Sequence, residues 1–196
     1  MIKAIIFDCF GVIYPDTLGL VVRPYLAKDD NRRKDIQALR RQSDIGLISR
    51  DEFWDEAARI LEISRQQLDS ELDEIRGADW DLLAYVKNLR TAGYKTAILS
   101  NVGAGFLERI FDEKHPQEDY FDEVVASAEI GIMKPDPRSF KLTAERLMVA
   151  ENECIFIDDR EMHISGARDV GMKTILYKDF EQTKSDLEKI LPDSKN

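Results

Sequence analysis

The chain has 196 residues, of which 43% are hydrophobic and 34% are charged, and its formal net charge is −10. This composition fits one globular domain that carries an insertion, and no apolar run approaches the roughly 20 residues that cross a bilayer. The acidic balance excludes a role in nucleic-acid binding, which needs a basic surface, and without a secretion signal the expected compartment is the cytoplasm.

Predicted strands alternate with predicted helices along most of the chain. The first strand covers residues 3–8, and further apolar runs lie at residues 96–99, 123–126, 154–157 and 174–177. Helical periodicity covers residues 81–89, 140–148 and 164–170. This alternation predicts a parallel sheet with helices on both faces.

Residues 17–78 break the alternation, because they contain no convincing strand. Two capping-box patterns, in which a serine and the third residue after it satisfy free backbone amides reciprocally, mark helix starts at Ser49 and Ser64. We therefore expect a helical cap over residues 17–78 and an α/β core formed by residues 1–16 and 79–196.

The two cysteines, Cys9 and Cys154, are too few for a disulfide framework. If strands one and four are parallel neighbours with Asp8 level with Asp158, Cys154 lies opposite Ala4. Cys9 is then roughly 16 Å away along the strand direction. Two cysteines whose Cα atoms are more than about 7 Å apart cannot form a bridge, so both are predicted to be buried free thiols.

Polar residues cluster at the carboxyl ends of the predicted strands, the edge at which open parallel sheets bind ligands. Each of them alone has an ordinary explanation as a cap or a turn, but together they predict a site. The candidates, including a lysine that precedes a helix, are Asp8, Ser100, Asn101, Lys134, Asp158 and Asp159.

This set of residues suits phosphoryl transfer. A carboxylate such as Asp8 can attack phosphorus and form an aspartyl-phosphate intermediate. Lys134 and the Ser100 hydroxyl supply the charge and the donors that a transferring phosphoryl group requires. Asp158 and Asp159 would repel Asp8 unless a cation lay between them, and hard oxygen ligands favour Mg²⁺.

The same stretches resemble the haloacid dehalogenase (HAD) superfamily. IIFDCFGVIY, AILSNVG, GIMKPDPRSF and FIDDREMHISGARDVGMKTI are similar to the motifs of that family, in the family's order. The resemblance spans the chain and is nearest to the branch that holds glucose-1-phosphatase-like enzymes and the phosphatase domain of soluble epoxide hydrolase. It implies a Rossmann-like five-stranded parallel sheet, ordered 5-4-1-2-3, with a small helical cap after strand one.

The resemblance also implies roles in catalysis and phosphate binding. Asp8 would be the nucleophile, and Ser100 together with Asn101 would bind the phosphate. Lys134 would steady both the phosphate and Asp8.

For the metal, the resemblance implies that Mg²⁺ binds Asp8 and the backbone carbonyl of Phe10. Asp159 aligns with the direct metal ligand, whereas Asp158 binds the metal directly or through water.

The chain departs from the family at two positions. Phe10 replaces the second aspartate that serves most family phosphatases as the general acid, so substrates whose leaving group departs without help, such as sugar 1-phosphates, are expected. His163 stands where related branches have asparagine, and we interpret it as a packed or helix-surface histidine rather than a residue that contacts the site.

Two other functions remain open. A 2-haloacid dehalogenase also has an aromatic residue two places after its nucleophile, but it needs no metal and lacks the acidic pair formed by Asp158 and Asp159. A family member that binds a phosphorylated ligand with little turnover would also tolerate Phe10. The preferred prediction is a Mg²⁺-dependent phosphatase of small phosphorylated metabolites, with no nucleic-acid or membrane partner.

Overall fold

The computed structural model describes residues 1–26, 30–75, 77–107, 110–111 and 116–191. Two of its strands, β1 and β4, are buried along their whole length, as their continuous apolar runs predict for the centre of a parallel sheet. The strands in the described ranges are β1 (Ala4–Phe7), β2 (Lys95–Ser100), β3 (Glu123–Ala126), β4 (Cys154–Asp158) and β5 (Lys173–Leu176). The predicted strands agree with these bounds to within one residue at each end.

All five strands are parallel and lie in the order β3-β2-β1-β4-β5, which confirms the predicted α/β fold and strand order. Ala4 pairs with Cys154 on one side of β1 and with Lys95 on the other. The carboxyl ends of β1, β2 and β4 therefore lie side by side at one edge of the sheet.

Helices cover both faces of this sheet because alternate strand residues point to opposite sides. Ile5 and Phe7 pack in one apolar cluster, with the helices Trp80–Thr91 and Phe180–Ile190. Ala4 and Ile6 pack in the other, with the helices Pro137–Arg146 and Glu161–Asp169. The helices in the described ranges are α1 (Thr17–Leu26), α2 (Asp30–Asp44), α3 (Arg50–Leu61), α4 (Arg65–Asp73), α5 (Trp80–Thr91), α6 (Ser127–Ile130), α7 (Pro137–Arg146), α8 (Glu161–Asp169) and α9 (Phe180–Ile190). Across this part of the chain, no helix combines the length and the apolar character that crossing a membrane requires.

Helices α1 to α4 surround a third apolar cluster, which includes Phe53, Trp54 and Leu68. Phe106, from the segment after β2, packs against both this cluster and one of the sheet clusters. The separate cluster supports the predicted division into core and cap, which stays a prediction. Residues 27–29, 76, 108–109, 112–115 and 192–196 of the predicted ranges lie outside the described residues.

The two predicted helix starts in the cap differ in their hydrogen bonds. Ser49 and Glu52 form the reciprocal capping box at the start of α3. Ser64 accepts a hydrogen bond from the backbone of Gln67, but the Gln67 side chain donates to the Tyr25 hydroxyl on α1 instead of completing the box. A tertiary contact therefore replaces half of the predicted local motif.

The pairing of Ala4 with Cys154 leads to a prediction about the thiols. Cys9 and Cys154 are buried and unbridged, and burial raises the pKa of both thiols, that of Cys154 to about 12. We expect a thiol reagent to label about two groups per chain in the denatured, unreduced protein and far fewer in the native protein within minutes. An absence of titratable thiols after denaturation would contradict the observed register.

Candidate active site

Asp8 lies one residue beyond β1, where the strand ladder still holds its backbone. Its N–H donates to the carbonyl of Ile157 on β4 at 2.8 Å. The side chain is 5% exposed, and its Oδ1 accepts a hydrogen bond from the N–H of Cys9 at 2.7 Å and forms an ion pair with Nζ of Lys134 at 2.8 Å. The sheet therefore fixes a buried carboxylate at its carboxyl edge.

A tight turn carries the chain away from the sheet after β1. The carbonyl of Cys9 accepts a hydrogen bond from the N–H of Tyr14 at 2.9 Å. Gly11 has a φ of 94°, and a Cβ at this position would lie 2.6 Å from Oδ2 of Asp159. Position 11 therefore needs glycine both for its left-handed backbone and for the close approach of the Asp159 carboxylate.

Lys134 links two carboxylates at the floor of the site. Its Nζ lies 2.8 Å from Oδ1 of Asp8 and 2.7 Å from Oδ2 of Asp158. Asn101 holds the lysine backbone from both sides, because its Nδ2 donates to the Lys134 carbonyl at 2.8 Å and its Oδ1 accepts from the Lys134 N–H at 2.7 Å. The Asn101 amide thus has a positioning role, and its part in phosphate binding stays a prediction.

His163 is in contact with the site through Asp158. Its Nδ1 lies 2.9 Å from Oδ2 and 3.0 Å from Oδ1 of Asp158, and the side chain is only 2% exposed. The residue is packed, as the sequence interpretation held, but it also contacts a predicted site residue. The available signal was its position in the first turn of α8, directly after the strand end that carries Asp158.

The two carboxylates that flank Lys134 have opposite electrostatic properties. Burial raises the pKa of Asp8 to about 6, and the charge of Asp158 adds to this effect, although Lys134 opposes it. Burial also acts against ionisation of Asp158, but Lys134 and His163 outweigh it and lower its pKa to about 2. The pKa of Lys134 is raised because its two carboxylates outweigh its own burial. Asp8 is therefore the more basic carboxylate of the two, and its ionisation costs the folded protein free energy.

A cavity of about 760 Å³ opens between this edge of the sheet and helices α1 and α2. Lys134 and His163 line a neighbouring cavity of about 640 Å³, which shares Asn101 with the first. The structure thus brings the predicted site residues to one place, although Asp158 is fully buried and lines neither cavity. The predicted residues that line the larger cavity are Asp8, Phe10, Ser100, Asn101 and Asp159.

Comparison with known sequences places this arrangement among hydrolases. A sequence model of the haloacid dehalogenase-like hydrolases matches residues 2–171. Bifunctional epoxide hydrolase 2 of Sus scrofa is 32% identical over 118 residues, which are 57% of this chain and only 21% of that protein. Glyceraldehyde 3-phosphate phosphatase of Methanopyrus kandleri is 27% identical over 223 aligned positions, which cover 95% of this chain and 90% of that enzyme.

A solved structure shares the fold over nearly the whole chain. It is a HAD family enzyme from Bacteroides thetaiotaomicron, in complex with magnesium and inorganic phosphate. The TM-score is 0.74 at 23% sequence identity, and the likeness covers 93% of this chain and 99% of that one. At this identity the likeness concerns the fold alone.

The contrast between the two acids predicts opposite effects of neutralising them in metal-free protein. Because the folded-state pKa of Asp8 is raised from 3.8 to about 6, its contribution to stability is lost as the pH rises through that window. Asp8→Asn should therefore raise the free energy of unfolding near neutral pH by about 1 to 3 kcal/mol. Asp158→Asn should lower it, since the pKa of Asp158 is depressed.

The measurement is the melting temperature of both variants and the wild type, in a chelating buffer, from about pH 4.5 to about pH 7.5. The advantage of Asp8→Asn over the wild type should grow across this range. If both substitutions lowered the melting temperature equally at every pH, the assignment of Asp8 as the costly carboxylate would be wrong.

Proposed function

Because the chain belongs to the haloacid dehalogenase-like hydrolases, we propose that it is a Mg²⁺-dependent phosphatase of small phosphorylated metabolites. The observation that carries the proposal is the position of Asp8, a buried carboxylate with a raised pKa at the floor of a cavity of about 760 Å³. Such a carboxylate is a good nucleophile for phosphorus once it is ionised.

Each residue of the site would have a separate role in phosphoryl transfer. The contacts from Lys134 and from the N–H of Cys9 both use Oδ1 of Asp8, so they orient the carboxylate towards attack through its other oxygen. The Ser100 hydroxyl, at the end of β2 and lining the cavity, would donate to a phosphoryl oxygen. Asn101 would keep Lys134 in place while charge builds up on the phosphoryl group.

The donor atoms at this edge of the sheet fit a hard divalent cation. Asp8, Asp158 and His163 each place a potential ligand atom within 4.8 Å of the others, but the Lys134 ammonium already lies between the two carboxylates. We therefore favour a Mg²⁺ site on the cavity side, held by Asp8, the carbonyl of Phe10 and Asp159, with Asp158 supporting it through Lys134. Bound Mg²⁺ would neutralise charge on the phosphoryl oxygens.

The close approach of Asp159 to the turn after β1 supports this ligand set. Its carboxylate fills the space over Gly11 that a Cβ would occupy, one residue after Phe10. The pKa of Asp159 is raised by burial and by the charge of Asp158, so a bound cation would relieve a local excess of negative charge.

The nature of Phe10 favours particular substrates. A phenylalanine at this position has no proton to give to the leaving group, and general acid catalysis is typically worth about 10² to 10⁴-fold. Sugar 1-phosphates and aryl phosphates suffer least from this loss, because their leaving groups are less basic than simple alkoxides. We propose sugar 1-phosphates as the favoured class of metabolite.

Phosphate release tests the proposed nucleophile. With Mg²⁺ at about pH 8, the wild type should hydrolyse p-nitrophenyl phosphate, and glucose 1-phosphate faster than glucose 6-phosphate. Asp8→Asn should lower kcat by more than about 10⁴-fold, as loss of a nucleophile does. Asp119→Asn removes an exposed acid that pairs with Lys87, and serves as a control with unchanged kcat.

Other results would point to the alternatives. Turnover by Asp8→Asn at the wild-type rate would refute the covalent mechanism. Release of chloride from 2-chloropropionate without Mg²⁺ would favour a dehalogenase. Saturable binding of inorganic phosphate without hydrolysis of any ester would favour a binding protein.

Metal binding predicts a change in thermal stability that does not depend on turnover. Mg²⁺ at about 100 times its dissociation constant should stabilise the fold by about 2.7 kcal/mol through linkage, and so raise the melting temperature. Asp159→Ala should cancel most of that rise, while Asp136→Asn, which alters an acid paired with Arg138, should keep it. An unchanged response of Asp159→Ala to Mg²⁺ would place the metal on other ligands.

A further inference from the structure

We propose that Asp44, a carboxylate from the predicted cap, acts when protonated as the general acid that position 10 lacks, so the preference for sugar 1-phosphates applies where Asp44 is ionised. The inference rests on the proposed phosphatase function and names the residue that would protonate its leaving group. Asp44 is the last residue of α2 and lies 36 positions after Asp8 in the sequence. It is only 6% exposed, and an aspartate this buried is rare unless it is paired, as Asp44 is with Arg40 at 3.4 Å.

The end of α2 is fixed on the core by several close contacts. The hydroxyl of Ser127, at the start of α6, donates to the backbone carbonyl of Asp44 and accepts from the N–H of Val102 at 2.9 Å. A Cβ on Gly46 would lie 2.8 Å from the carbonyl of Ala128. The backbone that carries the Asp44 carboxyl is therefore held against the segment that follows β2.

The Asp44 side chain borders the catalytic residues on two sides. It lines a small cavity of about 50 Å³ together with Phe10 and Asn101. Phe10 is the residue that stands in place of the missing acid. It also lines the cavity of about 640 Å³ together with Lys134. Asp44 does not line the cavity that contains Asp8, but both of its cavities share Arg40 and Asn101 with that cavity, and Phe10 lines the small one.

Electrostatics allow this carboxyl to hold a proton near neutral pH. Burial raises the pKa of Asp44 to about 6, and the charge of Asp8 adds to the effect, although Arg40, 3.4 Å away, and Arg160 oppose it. The charged and titratable side chains that face Asp44 or share a cavity with it include Asp8, Asp16, Arg40, Arg41, Lys134, Asp136, Arg138, Arg160 and His163. A general acid works best when its pKa lies near the working pH.

The proposed step balances in both halves of the reaction. A carboxylate oxygen of Asp8 bonds to phosphorus, the bond between phosphorus and the leaving oxygen breaks, and its electron pair stays on that oxygen. Asp44 gives its proton to the same oxygen and becomes a carboxylate. In the second half, Asp44 takes a proton from the water that attacks the aspartyl-phosphate, which releases phosphate and restores both residues.

Asp16 is the other carboxylate that lines the small cavity with Phe10, and it also lines the cavity that contains Asp8. Its Oδ1 accepts a hydrogen bond from the N–H of Gly19 at 3.1 Å, so it caps the start of α1. Asp44 has no backbone donor of this kind among the described contacts, and its carboxyl pairs with Arg40 through Oδ2.

The test compares two leaving groups across pH. For wild-type protein with saturating Mg²⁺, the kcat ratio of glucose 6-phosphate to p-nitrophenyl phosphate should fall by about 10 to 100-fold between about pH 6.5 and about pH 8.5, as Asp44 loses its proton. The ratio cancels the titration of Asp8, which both substrates need. In Asp44→Asn the ratio should be low and independent of pH.

Rate constants at about pH 6.5 give a second readout. Asp44→Asn should lower kcat for glucose 6-phosphate by at least about 10²-fold but for p-nitrophenyl phosphate by only about 3-fold, because p-nitrophenolate needs little protonation. The matched control is Asp136→Asn. Asp136 lines the cavity of about 640 Å³ together with Asp44, but Arg138 lowers its pKa to about 2. This control should keep the wild-type ratio and its pH dependence.

A double variant separates catalysis from folding. Phe10→Asp in the Asp44→Asn background should restore glucose 6-phosphate turnover by at least about 10-fold, because it returns an acid to the leaving-group side. Equal losses for both substrates in Asp44→Asn, or a pH-dependent ratio that persists in it, would overturn the assignment of Asp44 while leaving the phosphatase intact. An absence of phosphate release from every ester by the wild type would overturn the proposed function, and this inference with it.

Discussion

The buried ammonium of Lys134, held between Asp8 and Asp158, is the interaction on which the site depends. Two carboxylates at this spacing could not both stay ionised in a desolvated site without a cation, and loss of Lys134 would leave both uncompensated, which for a buried pair costs about 3 to 5 kcal/mol. The fold meets this constraint with the pairing of β1 and β4 and with Asn101, which holds the lysine backbone. As a result, the ionised form of Asp158 is stabilised, whereas the pKa of Asp8 remains raised.

The cap and the core contribute different parts of the chemistry. The predicted core carries Asp8, the proposed nucleophile, and Lys134, both on strand ends or on loops that strand ends hold. The cap reaches this edge through the end of α2, which docks on α6 by way of Ser127. The single turn of α6 therefore has a structural purpose, because its first hydroxyl connects the cap to the segment that follows β2.

Features set by short-range chemistry were predictable from the sequence. The buried strands are continuous apolar runs, and the alternation of strands with helices leads to the observed parallel sheet. The capping box at Ser49 formed because both of its partners lie within one turn. At Ser64 the prediction was wrong for Gln67, since the side chain of Tyr25, 42 residues earlier, offered it a competing hydrogen bond.

The sequence by itself determined the strands and the candidate residues at their carboxyl ends, because apolar continuity is a local property of the chain. The strand order followed only from the resemblance to the haloacid dehalogenase superfamily. Only the tertiary structure decided that His163 contacts Asp158 and that Asp44 is buried beside Phe10. Burial and the pKa that follows from it depend on what packs around a side chain. For Asp44 these neighbours come from parts of the chain that are far apart in sequence and meet only when the cap lies on the core.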